Sequence, residues 1–183
     1  MLKKLTATLL LSLSAIMPNA ALANEIEDHQ YLWETIGNIG VTRYINHPDW
    51  CPKTEEYNGM YDAGNNILVV CQDNITRRTG RMIPWTDNDL DTLRHEAHHI
   101  VQDCASSSLA DSRMDNMFSK DELIKFIAKS GLTQEKLRWI AQSYREQGAD
   151  EEVIIIEFEA FAVADSVSAR LIAEKLTQFC GPA

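Results

Sequence analysis

Asp87-Asn88-Asp89-Leu90-Asp91-Thr92-Leu93-Arg94-His95-Glu96-Ala97-His98-His99-Ile100-Val101-Gln102-Asp103 is the stretch around which this chain is organised. Thr86 or Asp87 can cap a helix running to Asp103, and acids gather in its first turn, where the helix dipole favours them. Residues four apart share a helix face, so the imidazoles of His95 and His99 can reach one ion. Zinc takes imidazole nitrogen at ~2.0–2.1 Å and prefers a tetrahedron. Glu96 is rotated by one residue, so it can touch a water on that ion without being a ligand. Zinc brings such a water's pKa towards ~7, and a carboxylate beside it can take the proton. The spacing fits His-Glu-x-x-His, which arises by chance in a chain of this length on the order of one time in a hundred. His98 lies off the His95–His99 face and reads as a flanking residue behind the site. A His95–His98 pair is the less favoured alternative.

A catalytic zinc needs a third protein ligand and one open position. His29 and His47 both lie upstream. The helix that follows Asp150 offers carboxylates instead. Its inward face around Ile154 includes Glu157, Phe158, Phe161, Asp165 and Ser168. A carboxylate among Ile and Phe is costly unless it is paired or binds metal. Glu157 is therefore the expected third ligand. Glu159 points away, is expected to be solvated, and is the fallback.

With these residues the chain resembles the zincin metallopeptidases, and within them the gluzincin type, whose third ligand is Glu. The likeness covers two short segments. One is His95-Glu96-Ala97-His98-His99. The other is Glu157-Phe158-Glu159-Ala160, similar to the Glu-x-x-Ala motif in the third-ligand helix of several zincin families. Some of those continue with Asp or Asn, where this chain has Phe161. Asp165 or Asp91 is then left to orient a ligand imidazole. No Gly and third His follow His99, so the metzincin pattern is absent. The resemblance implies a peptidase in which His95, His99 and Glu157 hold one zinc ion and Glu96 is the general base. It also implies a small sheet over the metal helix, with an edge strand that pairs with extended substrate; residues 66–71 are the candidate. Tyr144 either donates to an oxyanion, as Tyr or His does in such enzymes, or packs on its own helix. The rivals are a zinc-binding, non-catalytic protein on this fold (inhibitor, toxin or scaffold), which would not need Glu96, and a disulfide-braced binding domain.

The ends and the composition bound the rest. Lys3 and Lys4, an uncharged apolar run over residues 5–17, Pro18 and Ala21-Leu22-Ala23 form a secretory signal over residues 1–23, with Asn24 next. The apolar run is too short to span a bilayer comfortably. Residues 24–183 are expected to form a single domain, long enough to bury a core. The formal net charge is −10, and the signal would remove two of the cations. Such acidity, without a basic stripe, argues against nucleic acid and anionic membrane as partners. The expected partner is a peptide or protein substrate, and the expected location is secreted or periplasmic. Cys51, Cys71, Cys104 and Cys180 in an exported chain read as two disulfides. Of three pairings, Cys51–Cys71 and Cys104–Cys180 are expected. The second would tie the C-terminal helix to the end of the His-bearing helix.

Residues 25–37 read as a helix with Ile26, Trp33 and Ile36 on one side, and residues 41–45 as a short strand. Residues 57–61 and 66–72 read as a hairpin about Asp62-Ala63-Gly64-Asn65. Ser119 with Glu122 is a capping box for a helix ending near Gly131. Thr133 starts another that stops at Gly148, and Asp150 a last, long one reaching Gln178. The expected class is α+β and zincin-like: a small, mostly antiparallel sheet followed by a helical half.

Overall fold

The computed structural model describes residues 19–51, 58–73, 84–106, 109 and 112–181. Along the chain run α1 (Asn19–Asn38), β1 (Thr42–Ile45), β2 (Gly59–Asp62), β3 (Ile67–Val70), α2 (Asp87–Ser106), α3 (Lys120–Ser130), α4 (Gln134–Glu146), α5 (Glu151–Ser166) and α6 (Ala169–Cys180). The class is α+β, as expected. The lysines and apolar run of the expected signal lie outside the described residues. Among the described residues, no helix is long and apolar enough to cross a membrane.

The sheet has the order β1-β3-β2. β2 and β3 pair antiparallel, from Gly59↔Val70 to Asp62↔Ile67, which is the expected hairpin. Its turn is closed by the Asn65 amide on Oδ1 of Asp62 at 3.1 Å, and Asn66 takes the left-handed region at φ 53°, which Asn tolerates. β1 pairs parallel to β3, from Thr42↔Ile67 to Ile45↔Val70. The sheet is therefore mixed rather than mostly antiparallel. A turn marks a hairpin locally, whereas β1 finds its partner across an intervening strand. Buried Asn46 pins that pairing: its Oδ1 accepts from the Gln72 amide at 2.8 Å and its Nδ2 donates to Oε1 of Gln72 at 2.9 Å. β3 is the central strand, with Leu68, Val69 and Val70 all buried. Residues 66–71 are thus no edge for a substrate; both of their sides are taken.

α2 is the hub. Thr86 and Asp89 cap it reciprocally: the Asp89 amide donates to Thr86 Oγ1 at 3.1 Å, and the Thr86 amide to Asp89 Oδ2 at 2.8 Å. Such a cap contributes about 1 kcal/mol. Leu93, Ala97, Ile100 and Val101 pack with Leu32 and Ile36 of α1 and with Ile172, Ala173 and Leu176 of α6. Full burial stabilises each of the large aliphatic side chains by roughly 1.5–3 kcal/mol, so this core fixes which face of α2 turns inward. Ile36 joins the core as expected, while Ile26 is exposed. Both expected disulfides are present, Cys51–Cys71 and Cys104–Cys180. The second joins the end of α6 to α2.

The C-terminal stretch is two helices, not one long one. Val167 and Ser168 are extended, and Ser168 Oγ accepts from the Leu171 amide at 3.3 Å as the cap of α6. No Gly or Pro marks this break, so the helical pattern ran through it. The break lets α6 fold back onto α1 and α2 while α5 crosses α2 along a separate line.

Candidate metal centre

His95 and His99 stand on adjacent turns of α2, with their Nε2 atoms 3.1 Å apart. Glu157, on α5, reaches both. Its Oε2 is 3.2 Å from Nε2 of His95 and its Oε1 is 3.5 Å from Nε2 of His99. A tetrahedron of ligands at 2.0–2.1 Å has edges of about 3.3–3.4 Å, so the three donors stand at close to the spacing of one tetrahedral face. These three residues could hold a metal ion. Oε2 of Glu157 and Nδ1 of His95 are buried and make no hydrogen bond among the described residues. An orphaned buried carboxylate oxygen is costly, and a cation at the meeting point of the three side chains would satisfy it. The residues present fit a metal.

The electrostatics agree with the geometry. Burial pulls His99 towards the neutral form, but the charge and hydrogen bonding of Glu157, with Glu96 nearby, outweigh it and push the imidazole up to about 9. Burial raises Glu157, and the two imidazoles outweigh that, holding its carboxyl far below the usual range. Each member keeps a little contact with solvent: His95, Glu96, His99 and Glu157 are between 6 and 9 % exposed.

Glu96 stands beside the trio. Burial raises its carboxyl; His95 and His99 lower it, Glu157 raises it, and a backbone hydrogen bond from Tyr61 lowers it. β2 comes close here because Gly59 has no side chain. A Cβ on Gly59 would lie 2.6 Å from Thr92 Cγ2 and 3.1 Å from Glu96 Cγ. The Cys71 amide bonds the Asn58 carbonyl at 2.7 Å, so by alternation Gly59 and Tyr61 turn their backbone groups away from β3. The outer edge of β2 therefore runs beside Glu96.

Two further side chains face the cluster. The Tyr144 phenol is pushed up by burial, by the charge of Glu157 with a hydrogen bond to it, and by Glu96. It turns to the site rather than merely packing on α4. Phe161, one turn beyond Glu157, lies on the His95 ring with centroids 4.4 Å apart. Lys136 Nζ sits 5.2 Å from the Phe161 ring and 5.0 Å from that of Trp139.

The expectation for Glu159 is overturned. It is fully buried rather than solvated, and it does not join the trio. Its Oε1 meets Nε2 of His98 at 2.8 Å, and the amides of Met117 and Phe118 donate to its carboxylate. The chain entering α3 covers it, which no local pattern announces. His98 is the partner of Glu159; burial lowers its pKa against the opposing hydrogen bond that it donates to Glu159. Nor do Asp91 or Asp165 bond a ligand imidazole. Asp91 pairs with Arg94 at 3.2 Å. Asp165 is exposed, its carboxyl raised by partial burial and by the charge of Asp91. The imidazole of His99 is held by Gln102, whose Oε1 is 2.8 Å from Nδ1. Gln102 was missed; its place three residues after His99, on the same helix face, was the available signal. Gly59 was missed too.

An apolar hollow of about 510 Å³ lies between α1 and the start of α2, lined by Trp33, Trp85, Leu90 and Leu93 among others. None of the three converging residues lines it.

Residues 28–181 match the model of a family described as Domain of unknown function (DUF8637), and the chain belongs to that family. No curated protein and no solved structure matches it.

Proposed function

For this member of a family without an assigned activity, we propose a zinc-dependent metallopeptidase of the zincin type, acting outside the cytoplasm. The observation that carries the reading is the convergence of His95, His99 and Glu157 at mutual distances of 3.1–3.5 Å beside Glu96. Two imidazoles and a carboxylate suit zinc among the common metals. Zinc, when bound, supplies the Lewis acidity that polarises a carbonyl and brings a water's pKa to about 7. The chain's own groups do the rest. Glu96, its affinity for a proton raised by burial, takes the proton of the attacking water on its carboxylate and hands it to the leaving amine. Tyr144, whose phenol is kept protonated by burial and by the charge of Glu157, donates its O–H to the developing oxyanion. The outer edge of β2, at Gly59 and Tyr61, takes an extended peptide by backbone pairing. Two disulfides support an oxidising compartment.

A buried Glu96, electrostatically coupled to all three residues of the trio, favours this over a purely structural zinc site, which has no use for a base. The test is metal analysis of the purified chain, followed by cleavage of a peptide library with and without chelator. Stoichiometric zinc and chelator-sensitive cleavage are expected. A chain that takes up no zinc, or a zinc-loaded chain that cleaves nothing, sinks the proposal.

A further inference from the structure

His99 turns Nε2 to Glu157 and Nδ1 to Oε1 of Gln102, at 2.8 Å. The other end of Gln102 meets only acceptors. Its Nε2 donates to Oε1 of Glu159 at 3.1 Å and to the Ile156 carbonyl at 3.3 Å. Glu159 is itself fixed as an acceptor, because the backbone amides of Met117 and Phe118 sit on its oxygens at 3.0–3.3 Å and an N–H can only donate. Turning the Gln102 amide over would press its oxygen against a carboxylate and a carbonyl. Oε1 must therefore face His99, and the hydrogen in that contact must come from Nδ1. From this chain of contacts we infer that Glu159 and Gln102 form a relay that fixes the tautomer of His99 and leaves its Nε2 lone pair for the metal. The inference rests on the metal-centre reading above. Gln102 is a positioning residue, and Glu159 orients it.

The relay is closed to water. Gln102 and Glu159 are 0 % exposed, and the Asp115 amide donates to the backbone carbonyl of Gln102 at 3.1 Å. His95 has no such device: its Nδ1 is buried without a hydrogen bond among the described residues, and its ring is held by packing on Phe161. The two imidazoles are unequal, one preset by hydrogen bonds and one by contact.

The test uses the full chain loaded with zinc. Nitrogen-15 spectra of the imidazoles should show His99 protonated at Nδ1 and coordinated through Nε2. Chelator competition should show Gln102→Met binding zinc about 10–100-fold more weakly. Gln102→Glu should be as weak, since its carboxylate would oppose that of Glu159. Coordination of His99 through Nδ1 in the wild type overturns the relay. So does wild-type affinity in folded Gln102→Met. A wild-type chain that takes up no zinc is a different result: it overturns the reading on which the relay rests.

Discussion

Glu157 and Glu159 leave α5 two residues apart, and each meets a histidine of α2 across one interface. Around Glu159 every partner is supplied by the chain: His98, Gln102 and two backbone amides. Nothing is left over, and the residue is sealed. Around Glu157 the account does not close. Two imidazoles crowd one carboxylate, Oε2 goes without a hydrogen bond, and the side chain keeps 11 % exposure. The imidazoles follow suit, since burial lowers His98 while Glu157 lifts His99 to about 9. A buried polar group whose partners are complete holds a fold together. One whose partners are incomplete, convergent and within reach of solvent is poised to bind something.

The comparison can be broken at several points. The largest expected effect is on turnover. Glu96→Gln should lower peptide cleavage by about 10²–10⁴-fold while zinc content by metal analysis stays at the wild-type level; unchanged turnover would remove Glu96 from the chemistry. Next come the two acids of α5, which should fail differently. Glu159→Ala leaves a buried imidazole and two amides unpaired, and should cost about 3–5 kcal/mol in denaturant unfolding of the zinc-free chain. Glu157→Ala should instead erase the stabilisation that zinc confers, a gain of about 4 kcal/mol for a ligand at a thousand times its Kd. Equal behaviour of the two variants would dissolve the distinction. Tyr144→Phe should lower turnover about 10²-fold at unchanged zinc affinity, and a loss of zinc there would make Tyr144 a support rather than a donor. Smallest of all, Asp91→Asn should move stability by less than about 1 kcal/mol and leave chelator competition untouched, because Asp91 serves Arg94.

How far the site was legible follows from distance along the chain. His95, Glu96 and His99 lie within five residues of one helix, and helical geometry alone puts them together. Glu157 was reachable because a carboxylate on an apolar face needs a partner. Glu159 was misjudged on the same helix, since its burial depends on Met117 and Phe118 arriving from elsewhere. Gln102 escaped notice because an amide on a helix has no meaning until both its ends have neighbours.

The fold divides along the same line. Caps and turns are local hydrogen-bonding devices, so Thr86, Ser119, Thr133 and Asp150 marked helix starts, and the turn after Asp62 marked the hairpin. The parallel pairing of β1 with β3, the central position of β3 and the break at Val167-Ser168 are not written in any window of neighbours. They are set by which surfaces bury together: the Asn46–Gln72 clamp in the sheet, and α6 packing on α1 and α2. By itself the sequence determined an α2 helix with two imidazoles and a base on it. Only the packing of α5 against it decided which carboxylate meets them, because that choice depends on contacts more than fifty residues apart.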